Sequence, residues 1–126
     1  MKTHLIFREE CFQVIGACFS VYNELGSGFL ESIYSEALRI ELHRRSIPFV
    51  SEREIQIHYR QVPLKQSFRV DLICFEKLIV ELKATESLVD AHRSQLLNYL
   101  NATQLRLGVL VNFGNSSKLE WERLVR

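Results

Sequence analysis

The stretch Val70-Asp71-Leu72-Ile73-Cys74-Phe75-Glu76-Lys77-Leu78-Ile79-Val80-Glu81-Leu82-Lys83 constrains this chain more than any other. It reads as two apolar β-strands joined by a short polar turn, and strands so rich in Ile, Val, Leu and Phe are expected to be buried. Yet they carry Asp71, Glu81 and Lys83, and ionised groups in such surroundings are costly unless paired or bound to a metal. Glu81 and Lys83 are two residues apart, so on a strand they project from one face. With the hairpin centred on Glu76, Asp71 lies opposite Glu81. Two carboxylates and an ammonium then converge on one point of the sheet. A one-residue slip would send them to opposite faces, so the reading depends on the register.

A chain of 126 residues has room for one domain, expected to span residues 1–126. Hydrophobic residues at 47% and charged residues at 25% give the balance of a globular protein, one able to form a core without staples. The net charge of +1 gives no support to a nucleic-acid partner, although a locally basic groove would not show in a total. Cys11, Cys18 and Cys74 have no Cys-x-x-Cys spacing, which points to free thiols in a reducing cytoplasm rather than to zinc or disulfides. Arg8, Glu9 and Glu10 interrupt the apolar start, and no apolar run approaches the roughly 20 residues of a membrane span. The expected location is cytoplasmic, with no membrane association.

Apolar residues at Cys11, Val14, Ile15, Cys18, Val21, Tyr22 and Leu25 predict a helix over Arg8–Leu25, ended by Gly26-Ser27-Gly28. A second helix is predicted from about Leu30 to Arg44, capped by Ser27, with Ile33, Tyr34, Ala37, Leu38 and Leu42 inward and Pro48 marking its exit. Strand character follows at Phe49–Tyr59, Ser67–Cys74 and Leu78–Lys83, with Pro63 in the first connection. Helical spacing returns over Glu86–Leu100 through Leu88, Ala91, Leu96, Tyr99 and Leu100. Leu105–Asn112 is an apolar run read as a buried strand, Phe113–Ser117 a turn, and Leu119–Val125 a last strand. The order ααβββαββ predicts an α/β sandwich, a central mixed β-sheet flanked by helices.

Asp71, nine intervening residues, then Glu81-Leu82-Lys83 matches the Asp…(Asp/Glu)-x-Lys signature of the PD-(D/E)XK nucleases. The residue types suit that chemistry. Asp71 and Glu81 would hold Mg²⁺ or Mn²⁺, hard cations that prefer carboxylate, carbonyl and water oxygens, and the Leu82 backbone carbonyl would add a ligand. Lys83 would position or deprotonate the attacking water and offset transition-state charge. The plain alternative is a hairpin whose Lys83 pairs with Asp71 or Glu81. Gly28, Glu31 and Tyr34 fall three apart along one stripe of the second helix. Gly28 would admit a close backbone or phosphate and Glu31 would add a carboxylate; equally, Gly28 is a helix boundary, Glu31 a first-turn charge on the helix dipole and Tyr34 core. Gln95 and Tyr99 share a helix face, either orienting Lys83 and phosphate or standing as a solvated residue and a core residue.

Together, Gly28-x-x-Glu31-x-x-Tyr34, Asp71…Glu81-x-Lys83, Gln95-x-x-x-Tyr99 and Leu107–Gly114 resemble the GxxExxY family, which is grouped with the PD-(D/E)XK nucleases. The likeness runs from about Phe12 to Arg123. It implies the restriction-endonuclease-like fold, with Asp71, Glu81 and Lys83 as the core site, Glu31 as the upstream helical carboxylate joining the metal shell and Gln95 as the polar residue of the following helix. One departure is Gln61, where relatives are expected to carry a turn glycine. The resemblance supplies no substrate; the reading of the site residues is a metal-dependent nuclease cleaving nucleic acid, DNA first, with a metal-activated water, and a homodimer is expected because many small relatives of the fold form one. The alternative is a non-catalytic nucleic-acid- or protein-binding module that keeps the fold. His4, His43, His58 and His92 show no ligand spacing. Arg44, Arg45, Arg53, Arg60, Lys65 and Arg69 either line a nucleic-acid groove or solvate strand ends. Trp121 is read as packed.

Overall fold

The structure, a computed structural model, describes residues 5–126, so His4 lies outside the described residues. Two helices, α1 (Arg8–Leu25) and α2 (Glu31–Arg44), precede three strands, β1 (Phe49–Tyr59), β2 (Val62–Cys74) and β3 (Leu78–Lys83). Helix α3 (Asp90–Thr103) and strands β4 (Leu107–Asn112) and β5 (Glu120–Val125) complete the expected order. The strands lie in sequence order in one five-stranded sheet, antiparallel except for the β3–β4 pair. That parallel pair needs a crossover, which α3 provides.

Alternation along the central strands sorts the core into two layers. Leu72, Cys74, Leu78, Val80, Leu82, Val109 and Val111 face α1 and α2, which contribute Val14, Cys18, Tyr34 and Leu38. Ile73, Ile79 and Leu110 face the opposite way and meet Leu96 and Leu100 of α3. Strands buried on both faces are why these segments read as nearly continuous apolar runs. The three cysteines are free and buried. Among the described residues no helix is long and apolar enough to cross a membrane.

Several local expectations are corrected. Helix α2 starts at Glu31 with Leu30 before it and no side-chain cap, so Ser27 does not cap it. Ile33 is exposed, at the margin of a stripe that Tyr34, Leu38 and Leu42 occupy fully. Strand β2 begins at Val62 rather than Ser67, and Pro63 lies within it opposite His58. Proline is tolerated there because this part of β2 is an edge beside a turn, with no ladder bond demanded of the missing N–H. The turn itself is Arg60-Gln61, both left-handed at φ 49 and 68, the two-residue hairpin geometry that favours glycine. Helix α3 starts at Asp90 and runs to Thr103; Leu88 is buried from the preceding loop, and Ala91 is exposed. Strands β4 and β5 start two residues and one residue later than their patterns predict, at Leu107 and Glu120.

Candidate functional site

The β2–β3 hairpin has the register on which the site depends. Cys74, Ile73 and Leu72 pair with Leu78, Ile79 and Val80, which centres the turn on Glu76 and sets Asp71 opposite Glu81 one step beyond the last ladder pair. There the carboxylates replace the ladder. Glu81 Oε2 accepts the Asp71 backbone N–H at 2.7 Å, and Asp71 Oδ2 accepts the Leu82 N–H at 2.8 Å. A strand residue sends its N–H and C=O to the same side. The Leu82 carbonyl therefore also points toward β2, whereas the Lys83 carbonyl faces β4 and accepts from Phe113 N–H at 2.8 Å.

Strand β2 is irregular at this place. Val70 and Ile73 both pack on the α3 side although they are three apart, a spacing that strict alternation forbids. The pairing of β1 with β2 skips the step between Ser51↔Leu72 and Arg53↔Val70, and Glu52, which falls in that gap with Asp71, has φ 51. Irregularities of this kind re-aim a side chain within a sheet.

Glu81 is 4% exposed and Asp71 half-buried. Burial pushes the Glu81 carboxyl well above the usual carboxylate range, and the neighbouring Asp71 charge adds to the rise. Burial also raises Asp71, against the Leu82 N–H and Lys83, while Glu52 pushes the same way as burial. None of the ion pairs among the described residues involves Lys83. Instead its Nζ donates to Gln95 Oε1 at 2.9 Å, across from α3. The plain alternative, a lysine neutralising one carboxylate by direct contact, is therefore absent from the described residues, and without it the Asp71–Glu81 pair holds its protons more tightly than ordinary carboxyls do.

Glu31 stands exposed in the first turn of α2. Its carboxyl is raised by partial desolvation and then by Asp71, with Lys83 opposing, so it lies within the field of the pair. Tyr99, on α3, stacks on Phe68 with ring centres 4.2 Å apart, and its hydroxyl is raised by burial and by the charges of Glu81 and Asp71. Tyr34 is fully buried. Its ring stacks on Phe113 at 4.7 Å, and its hydroxyl donates to Gly26 O at 2.5 Å and accepts Phe29 N–H at 3.2 Å. It ties the α1–α2 loop to the core and so sets where α2, with Glu31, begins. Gly28 has φ +111 and open space around it, so what glycine supplies there is backbone freedom rather than close approach. His92 accepts the Val89 N–H at 3.1 Å as a helix cap, and burial and the Lys83 charge lower its pKa.

Two residues near the site were not singled out from the sequence. Glu52 contributes a further carboxylate from β1, signalled only by the polar run Ser51-Glu52-Arg53-Glu54 inside a strand. Asn112, paired with Lys83 across the sheet, is fully buried. Its Oδ1 accepts Thr85 N–H at 2.9 Å and Gly114 N–H at 3.0 Å, and its Nδ2 donates to Thr85 O at 2.9 Å and Glu120 Oε1 at 2.8 Å. A polar residue closing an otherwise apolar strand was the available signal.

Among the described residues no three His, Cys, Asp or Glu side chains converge tightly enough to enclose a metal. The donors present nevertheless fit a hard divalent ion of the Mg²⁺ type, which keeps several waters and uses one or two carboxylates plus substrate phosphate. Asp71 and Glu81 are two such carboxylates, adjacent and without a cation in direct contact.

The solved structure "Crystal structure of SSO0001" is similar, with a TM-score of 0.64 and 22% identity over 77% of this chain and 50% of that one. This chain thus corresponds to half of that protein's length, and the likeness shows the restriction-endonuclease-like fold. No match is found among curated proteins. The family model described as the PD-(D/E)XK nuclease superfamily matches residues 8–124, which include every residue of the hairpin and its helices described above. By fold, by hairpin and by this match over nearly its whole length, the chain belongs to the PD-(D/E)XK nuclease superfamily.

Proposed function

We propose that this chain is a divalent-metal-dependent nuclease of the GxxExxY type, its nuclease domain spanning residues 1–126. One observation carries the reading: Asp71 and Glu81 lie side by side at the end of a buried ladder, and the nearby Lys83 is held by Gln95 rather than spent on them. An arrangement that sets a buried and a half-buried carboxyl side by side without a contacting cation is costly for a purely structural hairpin. It suits a site whose cation arrives from solution. Asp71 and Glu81 would hold Mg²⁺ or Mn²⁺, with the Leu82 carbonyl on the same side. When bound, such an ion supplies Lewis-acid charge beside a phosphate and a water of lowered pKa. Glu31 adds negative charge from α2. Lys83 Nζ supplies a positive donor next to the reacting phosphate, and Gln95 fixes where that donor points. Tyr99 walls the site on the α3 side, and Gly28 with Tyr34 sets the start of α2.

The substrate we infer is DNA, and a homodimer and a cytoplasmic setting complete the proposal. Purified protein is incubated with Mg²⁺ or Mn²⁺ and a panel of labelled DNA and RNA structures, beside Asp71→Ala and Lys83→Ala variants of verified fold. Metal-dependent cleavage abolished in both variants is the expected result. A second reading, a non-catalytic binding module, is favoured by the lack of a three-carboxylate group among the described residues. Wild-type protein that neither binds the metal nor cleaves any substrate would establish that alternative. Sedimentation of the same preparation reads the oligomeric state.

A further inference from the structure

Beyond the site, β1 and β2 continue as an arm. Strand β2 pairs with β3 only over Leu72–Cys74, whereas its pairing with β1 runs on from Arg53↔Val70 to Tyr59↔Val62. From Val62 to Val70 the strand therefore has β1 on one side and no strand on the other among the described residues. At about 3.3 Å per residue the two-stranded arm extends roughly 25 Å past the irregularity at Asp71. Its base is anchored where Phe68 stacks on Tyr99 of α3, with Ile55 alongside. Outward from there the arm is exposed.

Charge is distributed unevenly along it. From Arg53 to Val70 the one acidic residue is Glu54, which lies across from Arg69 and accepts the Ser67 hydroxyl at 2.9 Å, against Arg53, His58, Arg60, Lys65 and Arg69, in a chain whose formal net charge is +1. The register of β1 against β2 shifts between Gln56 and His58, which sets Lys65 in the irregular step opposite Ile57, with Arg69 nearer the base and Arg60 in the turn at the tip. Arg69 reaches Glu52 at 4.0 Å with both side chains exposed, a contact that contributes little and is readily exchanged for another anion.

We propose that this arm grips B-form duplex DNA by entering the major groove, with Arg60, Lys65 and Arg69 on the flanking phosphates. The proposal rests on the nuclease reading for its biological sense but not for its test. A two-stranded ribbon fits the major groove of B-DNA, which is about 12 Å wide, whereas the narrow major groove of A-form RNA excludes it. The root of the arm is the irregular step that carries Asp71, so a duplex held along the arm passes the carboxylate pair. Bare exposed aliphatic groups at Ile57, Val62 and Leu64 suit contact with thymine methyl groups rather than solvent.

The test measures binding by fluorescence anisotropy without divalent ions, so that cleavage does not enter. The probes are a mixed-sequence duplex DNA, the same sequence as duplex RNA, and one of its DNA strands. For the triple variant Arg60→Ala/Lys65→Ala/Arg69→Ala, the Kd for duplex DNA should rise at least about tenfold, and the slope of log K against log salt should shrink by about two to three. Affinity for the other two probes should change little. The charge-conserving pair Arg60→Lys/Arg69→Lys should retain binding, which separates lost contacts from a damaged arm. Unchanged duplex-DNA affinity, equal loss on all three probes, or no duplex-DNA binding by wild type overturns the proposal. Cleavage is scored separately with Mn²⁺ on all three probes. Duplex discrimination without any metal-dependent cleavage leaves the arm standing and the nuclease reading refuted; cleavage with no effect of the arm variant does the reverse.

Discussion

Glu81 Oε2 accepts the backbone N–H of Asp71 at 2.7 Å while Asp71 Oδ2 accepts that of Leu82 at 2.8 Å, so each carboxylate takes the place of a ladder bond that the separating strands no longer make. This keeps both groups fixed and close, and it offsets only part of the cost of burying them. Both proton affinities are raised, burial being the leading cause in each. A carboxylate whose pKa is higher folded than unfolded holds more protons in the native state, so stability falls as pH rises through that interval. For Glu81 the interval opens at the ordinary value of 4.5 and extends upward. The metal-free protein should therefore be less stable at pH 8 than at pH 5.5 from this pair, and Glu81→Gln, which keeps an acceptor oxygen, should stabilise it at pH 8 by on the order of 1–2 kcal/mol. Mn²⁺ should raise the wild-type Tm most at high pH, where no proton competes, and leave the variant's nearly unmoved. Thermal melts across pH with and without Mn²⁺ check all three.

The 2.9 Å bond from Lys83 Nζ to Gln95 Oε1 holds the ammonium on the α3 side of the pair. In Gln95→Leu that restraint is gone, and Lys83 is expected to fold onto Asp71 or Glu81 as an ion pair. If Lys83 acts on a reacting phosphate, cleavage should drop by about tenfold in kcat with KM little changed, the signature of an interaction made mainly in the transition state. Gln95→Glu should not rescue it, because a carboxylate would pair with Lys83 rather than merely orient it. Single-turnover cleavage rates for the three proteins decide this.

Much of the fold was legible because the relevant signals are local or periodic. The stripe through Cys11, Val14, Cys18 and Val21 fixed α1 at Arg8–Leu25, and the continuous runs at Leu78–Leu82 and Leu107–Val111 announced strands buried on both faces. Centring the hairpin on Glu76 is an assumption at the level of sequence, and the ladder has that register, with Asp71 against Glu81. What stayed hidden depends on partners distant in sequence. Leu88 has helical spacing with Leu96, yet Thr85 is bonded to Asn112, 27 residues on, and its Oγ1 donates to Ser87 O at 3.0 Å, so the segment bends and the helix waits until Asp90. Ser27 looked like a cap, but the loop is held by a Tyr34 hydroxyl from inside the helix instead. Glu52 enters the site only through an irregular step between β1 and β2, which no period in either strand encodes.

Tyr34→Phe tests the loop anchor alone. The ring stack on Phe113 survives, whereas the bonds to Gly26 O and from Phe29 N–H are lost. Two hydrogen bonds of this kind make a stability loss of about 1–3 kcal/mol. Because the loop sets where α2 begins, backbone amide exchange should quicken over Gly26–Ser32 and stay unchanged in β3 and β4. Hydrogen-exchange mass spectrometry would show the pattern, and uniform loosening of the whole chain would contradict it.

Asn112 carries the heaviest structural load near the site. Its four bonds hold Thr85, Gly114 and Glu120, and a Cβ at Gly114 would stand 2.2 Å from the Thr85 carbonyl oxygen, so the β3 exit and the β4 exit are in direct backbone contact. Asn112→Leu keeps the side chain's size but removes the partner of the backbone N–H and C=O of Thr85, an exposed residue, and of the Gly114 N–H. Water can reach the Thr85 groups in place of the amide, so the loss should be about 1–3 kcal/mol. Asn112→Asp keeps Oδ1 but puts a second acceptor against Thr85 O and Glu120, and it should cost nearly as much at neutral pH and less near pH 4, where protonation restores a donor. Thr85 lies two residues beyond Lys83 on the same exit from β3. Wherever Asn112→Asp remains folded, the Lys83–Gln95 contact should therefore loosen, and cleavage should fall further than the lost stability alone explains. Denaturant melts at the two pH values, read beside cleavage rates under conditions where the variant is folded, separate the two effects.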